Sequence, residues 1–287
     1  MKTLIIDRDS VTSNMMRSKL EQSGHDVRVE SVKNDALGQI GAQNPEDGFS
    51  LVFLDPAPLA NARPLILNLR RAAAQYPYIV LMRPSEDTMP EDEEEDGVPT
   101  LRTGANAGVM KPLDDLALQE HVENAVRLRA LITLLGDDTL DFPSAGGVIA
   151  KSAFNQLFLS ALERADRYGE ETYIIVIGIH EYMNLRDESG PYAAEYSSAK
   201  LANTLSRIRR HSDIAGQIDR GEYALLLQRP QYDSEPFDAI KRLILDISGR
   251  ADIQPDATHS VQVTLSLISL PDGKEHMSRT VTPGAEQ

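Results

Sequence analysis

Three residues able to carry charge chemistry stand where short apolar runs stop: Asp7 after TLII, Asp55 after SLVFL and Lys111 after AGVM. Two carboxylates facing a lysine make a pocket that either holds Mg²⁺ or neutralises itself through ion pairs. Arg8 adds a permanently charged guanidinium able to pair with Asp55 where a metal would otherwise sit. Asp9 offers a further acid, but one residue on along an extended chain it points the other way. A second concentration of chemistry lies in RIRRHSDIAGQIDRGEYALLL, residues 207–227. Arg210 can make paired hydrogen bonds to phosphate or a base edge, and Asp213 can accept from ring and amino N–H groups. Arg207 and Arg209 add local positive charge. The same pair also suits a surface salt bridge or a helix cap, worth about 0.5 kcal/mol. Six residues after Asp213, the turn Asp219-Arg220-Gly221 joins two short strands and leads into Glu222 and Tyr223.

The elements that must position these residues differ between the two halves. In the first 115 residues, apolar runs (TLIID, SLVFLD, YIVLM and the weaker AGVMKP) alternate with segments of helical period such as SNMMRSKLEQSG and ARPLILNLRRAAAQ. That alternation predicts a parallel sheet with helices on both faces, whose ligands bind at the carboxyl ends of the strands. Residues 116–135 read as one helix stopped by GDD at 136–138, with stripes through Val122, Ala125, Val126, Arg129 and Ile132 and through Leu128, Leu131 and Leu135. The heptad pattern is too short for a coiled coil; packing on the first sheet and a short dimer seam both remain open. After a linker, DDTLDFPSAGG, the order helix, strand TYIIVIGIH, helix, hairpin, helix, strand SVQVTLSLISL predicts an antiparallel or mixed sheet of the ferredoxin-like kind.

Composition sets limits. The 287 residues carry 29 Lys and Arg against 44 Asp and Glu, a net charge of −15, which opposes a general grip on nucleic acid or an anionic membrane. There is no cysteine, so disulfides, thiolate metal sites and cysteine nucleophiles are excluded. No apolar run is long enough to span a bilayer and MKTLIIDRDS lacks a signal core, so a cytoplasmic location is expected. Residues 85–97 hold eight acids, the composition of a solvated loop.

The first half resembles the receiver domain of bacterial response regulators, over roughly residues 1–125. The resemblance makes Asp55 the candidate phosphoacceptor, matches Lys111-Pro112 to the family's lysine motif, and implies a histidine kinase as partner. This sequence departs from the family: Arg8 stands in the metal-binding acidic pair, Met82 at the Thr/Ser position and Gly108 at the switch aromatic. The expected receiver pocket is therefore Asp7, Arg8, Asp9 and Lys111 around Asp55, with Mg²⁺ held by Asp9 and Asp55 only if the site is phosphorylated at all.

The second half resembles the GGDEF domain of diguanylate cyclases over roughly residues 148–272, a family that joins two GTP molecules into cyclic di-GMP with two Mg²⁺ ions. Against its signature, Gln217, Ile218, Asp219, Arg220, Gly221, Glu222 and Tyr223 replace R-Y-G-G-D/E-E-F. Gly221 takes the place of a metal-binding acid and Gly178 that of another, with His180 at the second acid of that element. Arg186 replaces the asparagine that reads guanine, while Asp187 and Gly190 are kept. The resemblance also makes Arg210-His211-Ser212-Asp213 an R-x-x-D inhibitory site for cyclic di-GMP.

The expectation is an α/β receiver-like domain at 1–125, a helical extension and linker at 126–147, an α+β degenerate GGDEF domain at 148–272 and a disordered tail at 273–287. No catalytic residue, required cofactor or confident metal ligand is assigned, and the ligand is cyclic di-GMP at Arg210 and Asp213 or, failing that, a protein partner. A homodimer stays open; nucleic acid and membrane are not expected partners. The alternatives are a divergent active cyclase using Asp187, Asp219 and Glu222, and a nucleotide-independent scaffold working through the acidic loop 86–96.

Overall fold

The computed structural model describes residues 1–41, 48–59, 61–84, 100–144, 147–256 and 260–285, in two units: Met1–Arg129 with Glu163–Glu170, and Ala130–Leu162 with Glu171–Gln287. The acidic stretch 86–96 lies outside the described residues.

In the first unit, runs without polar alternation become strands covered on both faces. They are β1 (Lys2–Ile6), β3 (Leu51–Leu54) and β4 (Tyr78–Arg83), with the weaker β5 (Ala107–Met110) at one edge. The other edge is β2 (Asp26–Glu30), which the apolar-run criterion misses because DVRVE alternates charge with valine and buries only Val27. The strand order is β2-β1-β3-β4-β5 with every neighbouring pair parallel, the doubly wound arrangement whose crevice opens at the carboxyl ends of β1 and β3. Helices α1 (Ser10–Gln22), α2 (Lys33–Gly41), α3 (Arg63–Ala72) and α4 (Asp115–Gly136) accompany it. The helix expected at 116–135 is α4, but its buried stripe is Leu118, Ala125, Leu128, Leu131 and Leu135, whereas Val126 is half exposed.

Below the sheet a polar network replaces apolar packing. The Arg70 guanidinium donates to the Gly104 carbonyl (2.9 and 3.0 Å), the Pro77 carbonyl (2.9 Å) and Asn106 Oδ1 (2.8 Å), lies 4.3 Å over the Tyr76 ring and pairs with Asp166 at 3.1 Å. Asn106 Oδ1 also accepts the Ile79 N–H at 2.8 Å, tying the network to β4.

In the second unit β6 (Thr172–Ile179) is central, flanked antiparallel by β8 (Glu222–Gln228) and β9 (Val263–Leu270). β7 (Ile214–Asp219) and β10 (Glu275–Val281) complete the order β10-β9-β6-β8-β7, the ferredoxin-like arrangement with one added strand. Helices α5 (Lys151–Tyr168), α6 (Tyr182–Ser189), α7 (Pro191–Ile208) and α8 (Glu235–Ser248) follow the expected order. The core gathers Ile175, Ile177, Leu201, Leu225, Ile240 and Leu265.

The tail is a correction: residues expected to be disordered from 273 onward instead form β10, paired with β9. Pro271-Asp272-Gly273-Lys274 is a tight turn in which Gly273 sits at φ 68°, and Met277 and Val281 reach the core. On the other face Thr280 and Ser278 meet Thr264 and Ser266 at 3.1 and 2.9 Å, so hydroxyl pairs hold a strand with little hydrophobicity. No helix among the described residues is long and apolar enough to cross a membrane.

Arg70→Ala leaves two carbonyls, Asn106 and Asp166 without their cation. A loss on the order of 3 kcal/mol is expected, read as a lower urea midpoint at unchanged slope; a loss below about 1 kcal/mol would show that the network contributes no more than a surface pair.

Candidate functional site

At the carboxyl ends of β1 and β3 the structure brings Asp7, Asp55 and Lys111 together. Lys111 Nζ donates to Asp7 Oδ2 at 3.1 Å and also to Asp55 Oδ2. Burial works against the Lys111 ammonium, but its bonds to Asp55 and Asp7 outweigh that and hold its pKa up. Burial pushes the Asp7 carboxyl above the usual range despite the Asp9 N–H and Lys111 that bond it. Asp9 is turned away: its Oδ1 caps α1 by accepting the Val11 N–H (2.9 Å) and its Oδ2 accepts the Thr12 hydroxyl (2.6 Å). Arg8 is exposed, and the cation bridging Asp7 and Asp55 is Lys111 rather than the expected Arg8. Lys33, which the sequence reading missed, donates to the Ala57 carbonyl. Desolvation, then repulsion from Arg8, lowers its pKa.

The two signal-reporting positions are filled differently from the family pattern. Met82 is buried at the end of β4. A Cβ at Gly108 would lie 2.5 Å from the Thr100 hydroxyl, so the space at the switch position belongs to Thr100.

In the second unit, antiparallel pairing sets Gly178 opposite Glu222. A Cβ on Gly178 would meet the Glu222 side chain at 3.1 Å. The hairpin turn is Arg220-Gly221, with Gly221 at φ 69° and its carbonyl accepting the Ile179 N–H at 2.9 Å. A Cβ there would fall 2.3 Å from Cδ2 of Tyr182, whose ring covers the turn. Asp219 Oδ1 accepts the Arg220 N–H at 2.7 Å, so this acid organises the turn. Burial and the nearby Asp219 raise the Glu222 pKa. Tyr223 is buried, its hydroxyl bonding the Ser198 hydroxyl (2.7 Å) and carbonyl (2.9 Å) of α7. His180 and Asp187 are exposed, and Arg186 and Arg220 approach the Tyr182 phenol. Among the described residues no three His, Cys, Asp or Glu side chains gather as a metal site. The residues present suit the two Mg²⁺ ions of a cyclase poorly: a Cβ at Gly221 would meet the Tyr182 ring at 2.3 Å, and one at Gly178 would need the Glu222 side chain to shift.

The R-x-x-D pair is brought together, in an unexpected manner. Asp213 is buried; its Oδ2 accepts the backbone N–H of Arg210 (3.1 Å), its own N–H donates to the Arg210 carbonyl (3.1 Å), and its carbonyl accepts from Arg209 Nη1 (2.7 Å). Asp213 therefore closes the turn from α7 into β7. The Arg210 guanidinium instead meets Glu235 at the start of α8. Both line a cavity of about 410 Å³ with Leu227, Arg229, Tyr232 and Ala239. Glu235 and Tyr232 were missed in the sequence; an acid just before Pro236 reads as ordinary helix-start chemistry.

Residues 144–282 match the family model of the GGDEF domain, diguanylate cyclase, and this part of the chain is a GGDEF domain. The chain matches no curated protein sequence. Among solved structures it is similar to the GGDEF domain of YfiN from Pseudomonas aeruginosa, at 19% identity over 42% of this chain and 70% of that one, TM-score 0.35. It is also similar to a two-component response regulator from Clostridium difficile (23% identity, 44% and 96% covered, TM-score 0.36) and a CheY-like receiver domain protein from Methanospirillum hungatei JF-1 (18%, 45% and 96%, TM-score 0.37).

Two outcomes follow. Gly221→Asp forces a side chain into the Tyr182 ring and is expected to lower stability by about 1–3 kcal/mol without conferring Mg²⁺-dependent GTP turnover, alone or with Gly178→Asp; turnover by the double variant would show that the space can be reopened. Incubation with acetyl phosphate and Mg²⁺ is expected to leave Asp55 unmodified by mass spectrometry, because Lys111 already neutralises it and Asp9 caps α1. A phosphorylated Asp55 peptide would show a working metal pocket.

Proposed function

We propose that this chain, a receiver-like fold joined to a GGDEF domain, is a signalling protein whose GGDEF domain binds cyclic di-GMP at Arg210 and does not synthesise it. The observation that carries this reading is the closed side-chain space at Gly178 and Gly221, filled by Glu222 and Tyr182. A cyclase holds the α-phosphate and the attacking 3′-hydroxyl through metal-bound carboxylates; an acid at Gly221 would require the Tyr182 ring to move, and one at Gly178 a shift of the Glu222 side chain. Arg186 and Arg220 set positive charge against any Mg²⁺ there, beside the acids Glu195, Asp219 and Glu222. The cavity beside Arg210 supports the binding half of the reading. Its volume of about 410 Å³ falls in the range of small-molecule sites, with apolar walls at Leu227 and Ala239 and guanidinium groups from Arg210 and Arg229 at its lining. The acids Asp213 and Glu235 line it as well, so an anionic ligand gains a cation only where Arg210 or Arg229 is turned to it.

A second reading has its own support: Asp213 bonds the backbone and Arg210 meets Glu235, so the motif also works as a structural turn in a nucleotide-independent docking module. Under either reading the first half is a receiver-like fold in which Lys111 bridges Asp7 and Asp55.

Calorimetry separates these. Cyclic di-GMP is expected to give binding heat with wild type and none with Arg210→Ala, and GTP with Mg²⁺ is expected to give no cyclic di-GMP product by chromatography. Turnover restores the enzyme; absence of binding by both proteins leaves the docking module.

A further inference from the structure

The Glu235 carboxylate makes two contacts at once. Oε1 meets the Arg210 guanidinium, and Oε2 accepts the backbone N–H of Gln231 at 2.6 Å. The side chain is 17% exposed, against 39% for Arg210, so the carboxylate is the more deeply placed partner and the guanidinium the more accessible one. Tyr232 and Asp213 add to the field that holds Arg210 charged. The loop that this carboxylate ties down, between β8 and α8, begins at Arg229, a non-glycine residue at φ 51°. Left-handed backbone at a bulky residue persists only where its surroundings hold it. The Gln231 N–H to Glu235 bond is one such restraint, and the loop forms one wall of the cavity.

An anion entering the cavity needs what Glu235 already occupies. Arginine pairs a carboxylate and a phosphate through the same fork of N–H donors, so the two compete for one site. We propose that Glu235 is a built-in competitor for Arg210: a phosphate-bearing nucleotide binds by displacing the carboxylate, and the displaced Glu235 releases the Gln231 N–H and with it the β8–α8 loop. This rests on the reading that Arg210 receives such a ligand, and it assigns the competition and the read-out to residues outside R-x-x-D. Occupancy becomes a change of loop conformation because one side chain serves both the cation and the loop. Apparent affinity falls by the fraction of molecules in which Arg210 is already taken.

The test is calorimetry with cyclic di-GMP on the full chain, comparing wild type with Glu235→Ala, Glu235→Gln and Arg210→Ala. Asp238→Ala, another acid in the first turn of α8, controls for the general loss of negative charge. Glu235→Gln keeps an acceptor for the loop if the alanine variant folds poorly. Both Glu235 variants are expected to bind about five- to tenfold tighter than wild type, Asp238→Ala within about twofold, and Arg210→Ala not at all. Hydrogen exchange at the Gln231 amide of wild type should speed up on ligand addition. Binding by wild type with unchanged or weaker binding by both Glu235 variants overturns the competitor and leaves the function standing. Unchanged exchange at Gln231 on saturation overturns the loop release. Absence of binding by every protein, the Glu235 variants included, overturns the function and the competitor together.

Discussion

The antiparallel register of β6 and β8 is the constraint on which the second unit turns. It sets Gly178 directly opposite Glu222 and hands the Ile179 N–H to the Gly221 carbonyl, so the end of the central strand and the tip of the hairpin are locked at contact distance. A side chain at Gly221 would collide with Tyr182 at 2.3 Å, and one at Gly178 would sit tight against Glu222 at 3.1 Å, so the close approach at the turn depends on Gly221. The same pairing delivers Tyr223 to the buried Ser198 of α7, which fixes that helix over the sheet. The space beside these two glycines is thus lined by Glu222 and Tyr182.

Each unit pairs a charged cluster with an internal counter-ion. Neighbouring carboxylates are costly to bury unless a cation is supplied from within, and Lys111 bridges Asp7 and Asp55 in that role. An arginine facing a cavity carries the mirror-image cost, and Glu235 meets it. Neither solution is inert. The ammonium between the aspartates opposes metal entry, whereas the carboxylate at Arg210 is exchangeable for any anion that offers the guanidinium a better fork.

How much of this was legible in the sequence depends on the kind of signal. Runs such as LVFL and the helical stripe through Leu128, Leu131 and Leu135 declare themselves because burial imposes period and composition together. β2 and β10 did not, since an edge strand needs only one apolar face; β10 is held by Met277, Val281 and two hydroxyl pairs that no apolar run announces. At the sites, residue identities were readable but directions were not. Asp9 could be seen as an acid near the pocket, yet whether it faces Asp55 or caps α1 is settled by the Thr12 hydroxyl and Val11 N–H on the next turn. Arg210 and Asp213 were visible as a pair, but Glu235, 25 residues away in sequence, becomes their neighbour only through the ladder of β7 on β8.

That ladder explains why the cavity differs in kind from the closed hairpin at the other end of the same strands. At the Glu222 end of β8, glycines let backbone and aromatic ring close the volume, and refilling it with carboxylates means breaking van der Waals contacts in a packed region. At the Gln228 end, the strand runs into a loop that starts in a left-handed residue and is fastened to Glu235 by its carboxylate, which accepts the Gln231 N–H, and by its backbone N–H, which donates to the Tyr232 carbonyl. Repacking a core is an all-or-none event, but exchanging one carboxylate for another anion on an accessible guanidinium is local and reversible. The sheet therefore carries a rigid end and an exchangeable end, and only the exchangeable one can respond to a ligand without unfolding its surroundings.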